Sequence, residues 1–211
     1  MSLKIKKQLK GIIIDFDNTL GRFPLDLTVV RQELAKKIEE LTGRRLLFSP
    51  YLVTIDNYVD NPEIKQQLYD IIESLEFEVA EKFELFPEVI TKLDEFKQEG
   101  LQRFAIFANN SENVINHILK ENGLEHWFNP VIGLRSVNFH KPEPEGLQKI
   151  INSWGFKAWR VMYVGDVTPD AHAAARARMQ YQPVVDFIEL DLNDYKIMSP
   201  EEGLKRKEKS K

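Results

Sequence analysis

The sequence predicts an α/β protein: a parallel sheet with helices on both faces, plus a small all-helical unit inserted after the first strand. Three observations lead there. The β-branched run Ile12-Ile13-Ile14 stops abruptly at Asp15, as a buried strand does when its C-terminal end carries polar groups. Residues 22–84 carry apolar positions only at helical spacing. Beyond residue 85 short apolar runs alternate with amphipathic segments, the pattern of strand-helix-strand units joined by right-handed crossovers.

The elements follow in order. After the first strand and a polar turn, Leu27, Val30, Leu34, Ile38 and Leu41 mark a helix that stops at Gly43. An irregular stretch runs through Pro50. Asp60-Asn61-Pro62-Glu63 then supplies an N-cap, a proline at the first helical position and early negative charge for a long helix toward Phe83, with Ile64, Leu68, Ile71, Leu75 and Val79 on its apolar face. The expected sequel is helix from Pro87 to Gln98 with Gly100 as stop, strand Arg103–Phe107, helix from Ser111 to Asn122 closed by Gly123, and a short strand Val131–Ile132. Helix Pro144 to Ser153, strand Val161–Val164, helix Asp170 to Met179 and a last strand at Val184–Val185 complete the series. This divides the chain into a catalytic core of residues 1–21 and 85–200, a helical cap of residues 22–84, and a basic C-terminal tail of residues 201–211.

Composition narrows the function. The 211 residues are 43% hydrophobic and 29% charged, enough for one ordinary core with a small insertion. The net charge of −4 offers no positive field for nucleic acid. The lysines near each end, Lys4, Lys6, Lys7 and Lys10 and then Lys205 to Lys211, read as solvated termini. With no cysteine, disulfides, thiolate metal sites and thiol nucleophiles are excluded. The apolar run near the start is too short for a signal peptide or membrane helix, so a cytoplasmic location is expected and no membrane partner.

Chemistry concentrates at the strand ends. The first strand delivers Asp15-Phe16-Asp17-Asn18-Thr19 to the sheet edge. One carboxylate can attack phosphorus while its neighbour protonates the leaving oxygen and then activates water. Taken alone, two acids in a turn are as readily solvated turn residues. A second acidic pair, Asp166 and Asp170, follows the strand Val161–Val164. Converging carboxylates repel one another unless a cation lies between them, and Mg²⁺ takes oxygen ligands of this kind. Transfer of a phosphoryl group also needs positive charge on its oxygens, for which Lys141, in Lys141-Pro142-Glu143-Pro144, is the candidate.

Together these motifs resemble those of the haloacid dehalogenase-like superfamily, in order and in separation. Asp15-Phe16-Asp17-Asn18-Thr19 is similar to its first motif, Lys141-Pro142-Glu143-Pro144 to its third, and Gly165-Asp166 through Asp170 to its fourth; Leu85-Phe86-Pro87 to Asn110 resembles the approach to its second. The resemblance implies a Rossmann-like sheet with a helical cap of the type inserted after the first motif. It implies a magnesium-dependent phosphatase that hydrolyses a small phosphorylated metabolite through an aspartyl-phosphate. Asp15 would be nucleophile, Asp17 general acid and base, and Lys141 the group that steadies nucleophile and phosphoryl. The Asp15 side chain, the Asp17 carbonyl and Asp166 would hold magnesium, with Asp170 in support.

One departure stands out. The family's second motif places a serine or threonine where this chain has Ala108, followed by Asn109 and Asn110. A missing neutral donor costs about 1–3 kcal/mol of transition-state binding unless Asn109, Asn110 or Ser111 replaces it. The same residues thus fit two further readings, a weak or inactive phosphate-binding relative and a phosphomutase. Arg178 stands where the family commonly has glycine. His140 neighbours Lys141, while Trp154, Phe156 and Trp159 read as an aromatic cover for the sheet.

Overall fold

The computed structural model describes residues 7–197. Its centre is a five-stranded sheet in the order β6-β5-β2-β7-β8, all parallel, formed by β2 (Gly11–Ile14), β5 (Phe104–Phe107), β6 (Val131–Ile132), β7 (Val161–Gly165) and β8 (Gln180–Pro183). Strand alternation explains how both faces are buried. Ile12 and Ile14 join one apolar cluster with α4 (Pro87–Gln98) and α5 (Glu112–Glu121), while Ile13 points the other way into a cluster with α6 (Glu145–Trp154) and α7 (Thr168–Arg176).

Between β2 and β5 the chain makes a three-helix block, α1 (Leu27–Thr42), α2 (Tyr51–Tyr58) and α3 (Pro62–Val79). It has an apolar cluster of its own, in which Val30, Leu34 and Ile38 of α1 meet Ile55 of α2 and Leu68 and Ile72 of α3. The capping signals act as expected. Gly43 is left-handed at φ 68° and ends α1; Asn61 accepts hydrogen bonds from the Glu63 and Ile64 N–H groups ahead of Pro62.

Several expectations need correction. Residues 22–84 are not wholly helical, because β3 (Gly21–Arg22) pairs antiparallel with β4 (Glu84–Leu85) at the neck of the block. The stretch before Asn61 contains α2, whose β-branched Val53, Thr54 and Ile55 disguise it; burial of Leu52 and Ile55 outweighs their weak helix propensity. Val184–Val185 is not a strand but the start of α8 (Val184–Ile188), and the strand lies before it as polar, half-buried β8. An edge strand has less to bury, so its sequence lacks the apolar run that identifies a central one. A further parallel pair joins β1 (Lys7–Leu9) to β9 (Tyr195–Ile197).

Lys10 is also not a solvated terminal residue: it is 4% exposed and its ammonium lies 5.1 Å from the centre of the Phe156 ring. Lys4, Lys6 and the tail lie outside the described residues. Arg178 adopts φ 56°, the left-handed conformation that glycine takes without strain, so the substitution costs on the order of 1 kcal/mol. Trp154 packs against Gly11 and 5.8 Å from Phe156, whereas Trp159 is half exposed under the Arg160 guanidinium. Among the described residues no helix is long and apolar enough to cross a membrane.

Candidate active site

Parallel pairing brings the acids together. Ile14 stands in register with Val164 and the Asp15 N–H donates to the Val164 carbonyl at 2.9 Å, so β2 and β7 end side by side and deliver Asp15 and Asp166 to one edge. Oxygens of Asp15, Asp166 and Asp170 lie within 4.8 Å of one another. Asp15 and Asp170 are buried and Asp166 is exposed, so the cluster is open to solvent on one side.

Lys141 enters from the loop between β6 and α6. Its Nζ is 2.7 Å from Asp15 Oδ1 and 2.8 Å from Asp170 Oδ1, and donates at 3.3 Å to the Tyr163 hydroxyl. Burial works against the ammonium, but the two carboxylates outweigh it and hold its pKa above the ordinary lysine value. Asp170 is fully engaged. One oxygen accepts from Lys141 and from the Tyr163 hydroxyl at 2.9 Å, and the other faces the N–H groups of Asp166 at 3.3 Å and Val167 at 3.2 Å. A Cβ on residue 165 would come within 2.6 Å of the Asp170 carboxyl, which is why glycine stands there.

Burial pushes the Asp15 carboxyl up to about 7, with Lys141 pulling it back and Asp170 pushing it further. Asp17 is raised to about 6, again chiefly by burial, although its Oδ1 accepts from the Phe23 N–H at 3.1 Å, which favours the ionised form. Asp166 is raised by burial and by Asp170, while the Thr19 hydroxyl donates to it at 3.2 Å. The Asp17 side chain lies outside the three-acid cluster; the expectation for Asp17 concerns its backbone carbonyl, which a cluster of side-chain oxygens does not test.

A cavity of about 220 Å³ opens above these groups. Asp15, Asp17, Asn109, Lys141 and Asp166 form its floor; Leu25, Leu27 and Tyr51 wall it from the helical block. Ala108 does not line it. The residue is fully buried, its N–H is donated to the Ile132 carbonyl, and its methyl belongs to the core cluster. Asn110 does line the cavity, but its amide donates at 2.9 Å to Glu76 of α3, and the Ser111 hydroxyl is occupied by Glu73 and by the Asn113 N–H. Asn109 accepts from the Lys141 N–H at 3.2 Å through Oδ1, which leaves its amide nitrogen for a ligand.

Three groups were not anticipated. Tyr163 carried no signal within its strand. Glu76 did, as a carboxylate one turn beyond Ile72 on the buried stripe of α3; it is fully buried, accepts from the Ser111 N–H at 2.8 Å, and burial pushes it up to about 8. Asp56 of α2 accepts from the His140 N–H at 2.8 Å and from His140 Nδ1 at 2.9 Å, while Nε2 faces the Leu134 carbonyl at 2.9 Å. The loop that carries Lys141 is therefore bolted to the helical block.

The family model for haloacid dehalogenase-like hydrolases matches residues 12–184. The chain is 30% identical over 189 residues to a phosphoglycolate phosphatase of Haemophilus influenzae, covering 81% of this chain and 84% of that one. It is 26% identical to a phosphoglycolate phosphatase of Vibrio cholerae over 81% of this chain and 82% of the relative. Among solved structures, the CbbY protein of Rhodobacter sphaeroides in complex with phosphate superposes with a TM-score of 0.61 at 15% identity, over 83% of this chain and 86% of that one. A haloacid dehalogenase-like hydrolase from Bacteroides fragilis gives 0.59 at 22% identity, over 91% and 98%. At those identities the structures support the fold, a parallel sheet flanked by helices, and the sequence relatives carry the activity class. The chain belongs to the haloacid dehalogenase-like hydrolase family, within its phosphatase branch.

Proposed function

We propose that the protein hydrolyses a small phosphate monoester in a magnesium-dependent reaction through an aspartyl-phosphate on Asp15. The observation that carries this reading is Lys141 held between Asp15 and Asp170 on the floor of a pocket that also presents Asp17 and Asp166. The donor set fits a hard cation: carboxylate oxygens alone, close together and partly open to solvent. Asp15 and Asp166 would hold it, and it would supply charge neutralisation for the acids and the phosphoryl oxygens. Asp170 serves in support, since its lone pairs already face Lys141, Tyr163 and two backbone N–H groups.

The Asp15 carboxylate attacks phosphorus and the bond from phosphorus to the ester oxygen breaks. Asp17, raised to about 6, retains a proton often enough near neutrality to give it to the departing alkoxide. The ionised Asp17 then takes a proton from water, whose oxygen attacks the aspartyl-phosphate and releases inorganic phosphate and Asp15. Lys141 and the Asn109 amide offset charge on the phosphoryl oxygens, Asn109 taking the part of the missing hydroxyl at position 108. The helical block of residues 22–84 acts as the cap that excludes bulk water.

Phosphoglycolate is the first natural substrate to try, because the named relatives are phosphatases of that compound. The general test is hydrolysis of p-nitrophenyl phosphate with Mg²⁺ by the wild type and by Asp15→Asn. Turnover in the wild type that vanishes in the variant is expected; equal rates in the two would end the proposal.

A further inference from the structure

The loop that carries Lys141 is held from within the helical block. Leu134 is fully buried in the apolar cluster of α1, α2 and α3, and the Tyr69 ring of α3 stands edge-on to His140 at 5.7 Å. Asp56 of α2 directs both carboxylate oxygens at the same residue. One accepts from the His140 N–H at 2.8 Å, and the two lie 2.9 and 3.0 Å from Nδ1. The Asp56 side chain is only 5% exposed and that of His140 is fully buried. His140 Nε2 faces the Leu134 carbonyl, and the His140 carbonyl accepts from the Glu143 N–H at 2.9 Å, so every polar group of His140 is met inside the protein. His140 does not line the catalytic cavity. Any influence it has on the chemistry passes through its neighbour.

We propose that Asp56 and His140 are positioning residues for Lys141, a carboxylate of the helical block setting the place of the phosphoryl-site amine without meeting the substrate. The inference rests on the reading of Lys141 as that amine and deepens it. The Lys141 backbone is pinned from both sides, by Asp56 through residue 140 and by Asn109 Oδ1, which accepts from its own N–H at 3.2 Å. From that fixed start the side chain reaches Asp15 at 2.7 Å and Asp170 at 2.8 Å. A loop shift of about 1 Å would break both contacts and turn the Asn109 amide, and misplacement on that scale costs about 10²-fold in rate. A buried carboxylate and imidazole are a weak source of stability, because desolvation offsets their attraction and an apolar pair would pack as well. What they add is direction, and it falls on the residue before Lys141.

Turnover of p-nitrophenyl phosphate with Mg²⁺ should be compared in a double-mutant cycle. Asp56→Ala should lower kcat about 10–100-fold. Asp56→Asn, whose oxygen can accept from the His140 N–H while its amide donates to Nδ1, should stay within about threefold of the wild type. In the Lys141→Ala background, Asp56→Ala should cost no more than about twofold further, because the group it positions is gone. Losses that multiply in the double variant would assign Asp56 to overall stability, and equal losses in Asp56→Asn and Asp56→Ala would show that the hydrogen bonds to His140 are not what matters; either result overturns the inference. Should Asp56→Ala fail to fold, His140→Ala, which keeps the backbone N–H and removes the ring, takes its place in the cycle under the same criterion. A second measurement does not need turnover: calorimetric binding of inorganic phosphate with Mg²⁺ should weaken about tenfold in Asp56→Ala. Unchanged binding would overturn the inference even in a protein that hydrolyses no ester, as would a wild type that neither binds phosphate nor turns over. A wild type that binds phosphate without hydrolysing the ester would count against the hydrolase reading alone.

Discussion

Lys141 Nζ stands 2.7 Å from Asp15 Oδ1, and the same ammonium reaches Asp170 at 2.8 Å. One buried cation thus holds two carboxylates that would otherwise repel. Lys141→Ala should cost on the order of 10²–10³ in kcat, by analogy with the loss of a preorganised charge in other active sites. Removing one member of a buried ion pair also destabilises by roughly 3–5 kcal/mol, so the melting temperature should fall by several degrees or more. Lys141→Met, equally long but uncharged, should fail in the same way. Activity retained by either variant would remove Lys141 from the phosphoryl site.

Cation binding has a readout apart from turnover. In the proposed site Mg²⁺ would relieve repulsion between Asp15 and Asp166, so it should raise the melting temperature of the wild type, by an amount that grows with the logarithm of its concentration above the dissociation constant. Asp166→Asn should weaken that response strongly while leaving the far-ultraviolet circular dichroism unchanged. An undiminished response would show that the ion binds elsewhere.

Asp17 is assigned proton transfer, which makes its importance depend on the leaving group. With an alkyl phosphate, Asp17→Asn should lower kcat by about 10²–10⁴. With p-nitrophenyl phosphate, whose leaving group departs without a proton, the loss in phosphorylation of Asp15 should be smaller, visible as a burst of p-nitrophenol when the later water attack limits turnover. Identical losses on both esters, without a burst, would contradict the assignment.

Glu76 should give stability a pH signature. Its carboxyl is raised from 4.5 to about 8, so the folded state binds this proton more tightly than the unfolded state does. The associated stability is fully present below about 4.5 and is lost as pH rises through about 8. Thermal melts of the wild type and Glu76→Gln across pH 5–9 should therefore diverge, with the wild type losing several degrees more between pH 5 and 8. Parallel curves would mean that the Asn110 and Ser111 contacts keep the ionised form at no cost.

Read alone, the chain was enough for the order of the core elements from the first strand through Val161–Val164, the placement of Asp15, Asp17 and Asp166 at strand ends, the stop of α1 at Gly43 and the start of α3 at Asn61. These rest on local physics: apolar period, caps, and the abrupt stop of a buried strand at a charge. Tertiary structure decided the rest. Only the parallel pairing of β2 with β7 makes Asp15 and Asp166 neighbours across about 150 residues of chain. Tyr163 has the appearance of an ordinary sheet residue until the fold sets its hydroxyl against Asp170. Strand β8 is polar because it lies at an edge, and α2 is helical because Leu52 and Ile55 have a core to enter, neither of which a local window contains. The sequence left Asn109, Asn110 and Ser111 open as substitutes for the absent hydroxyl, Ser111 reading equally as the N-cap of α5 that it is; Glu76 and Glu73, arriving from the distant helix α3, occupy Asn110 and Ser111 and leave the Asn109 amide free. The physical reason is the same throughout: hydrogen-bond partners and burial belong to pairs of segments, and their energies exist only once the chain has brought those segments together.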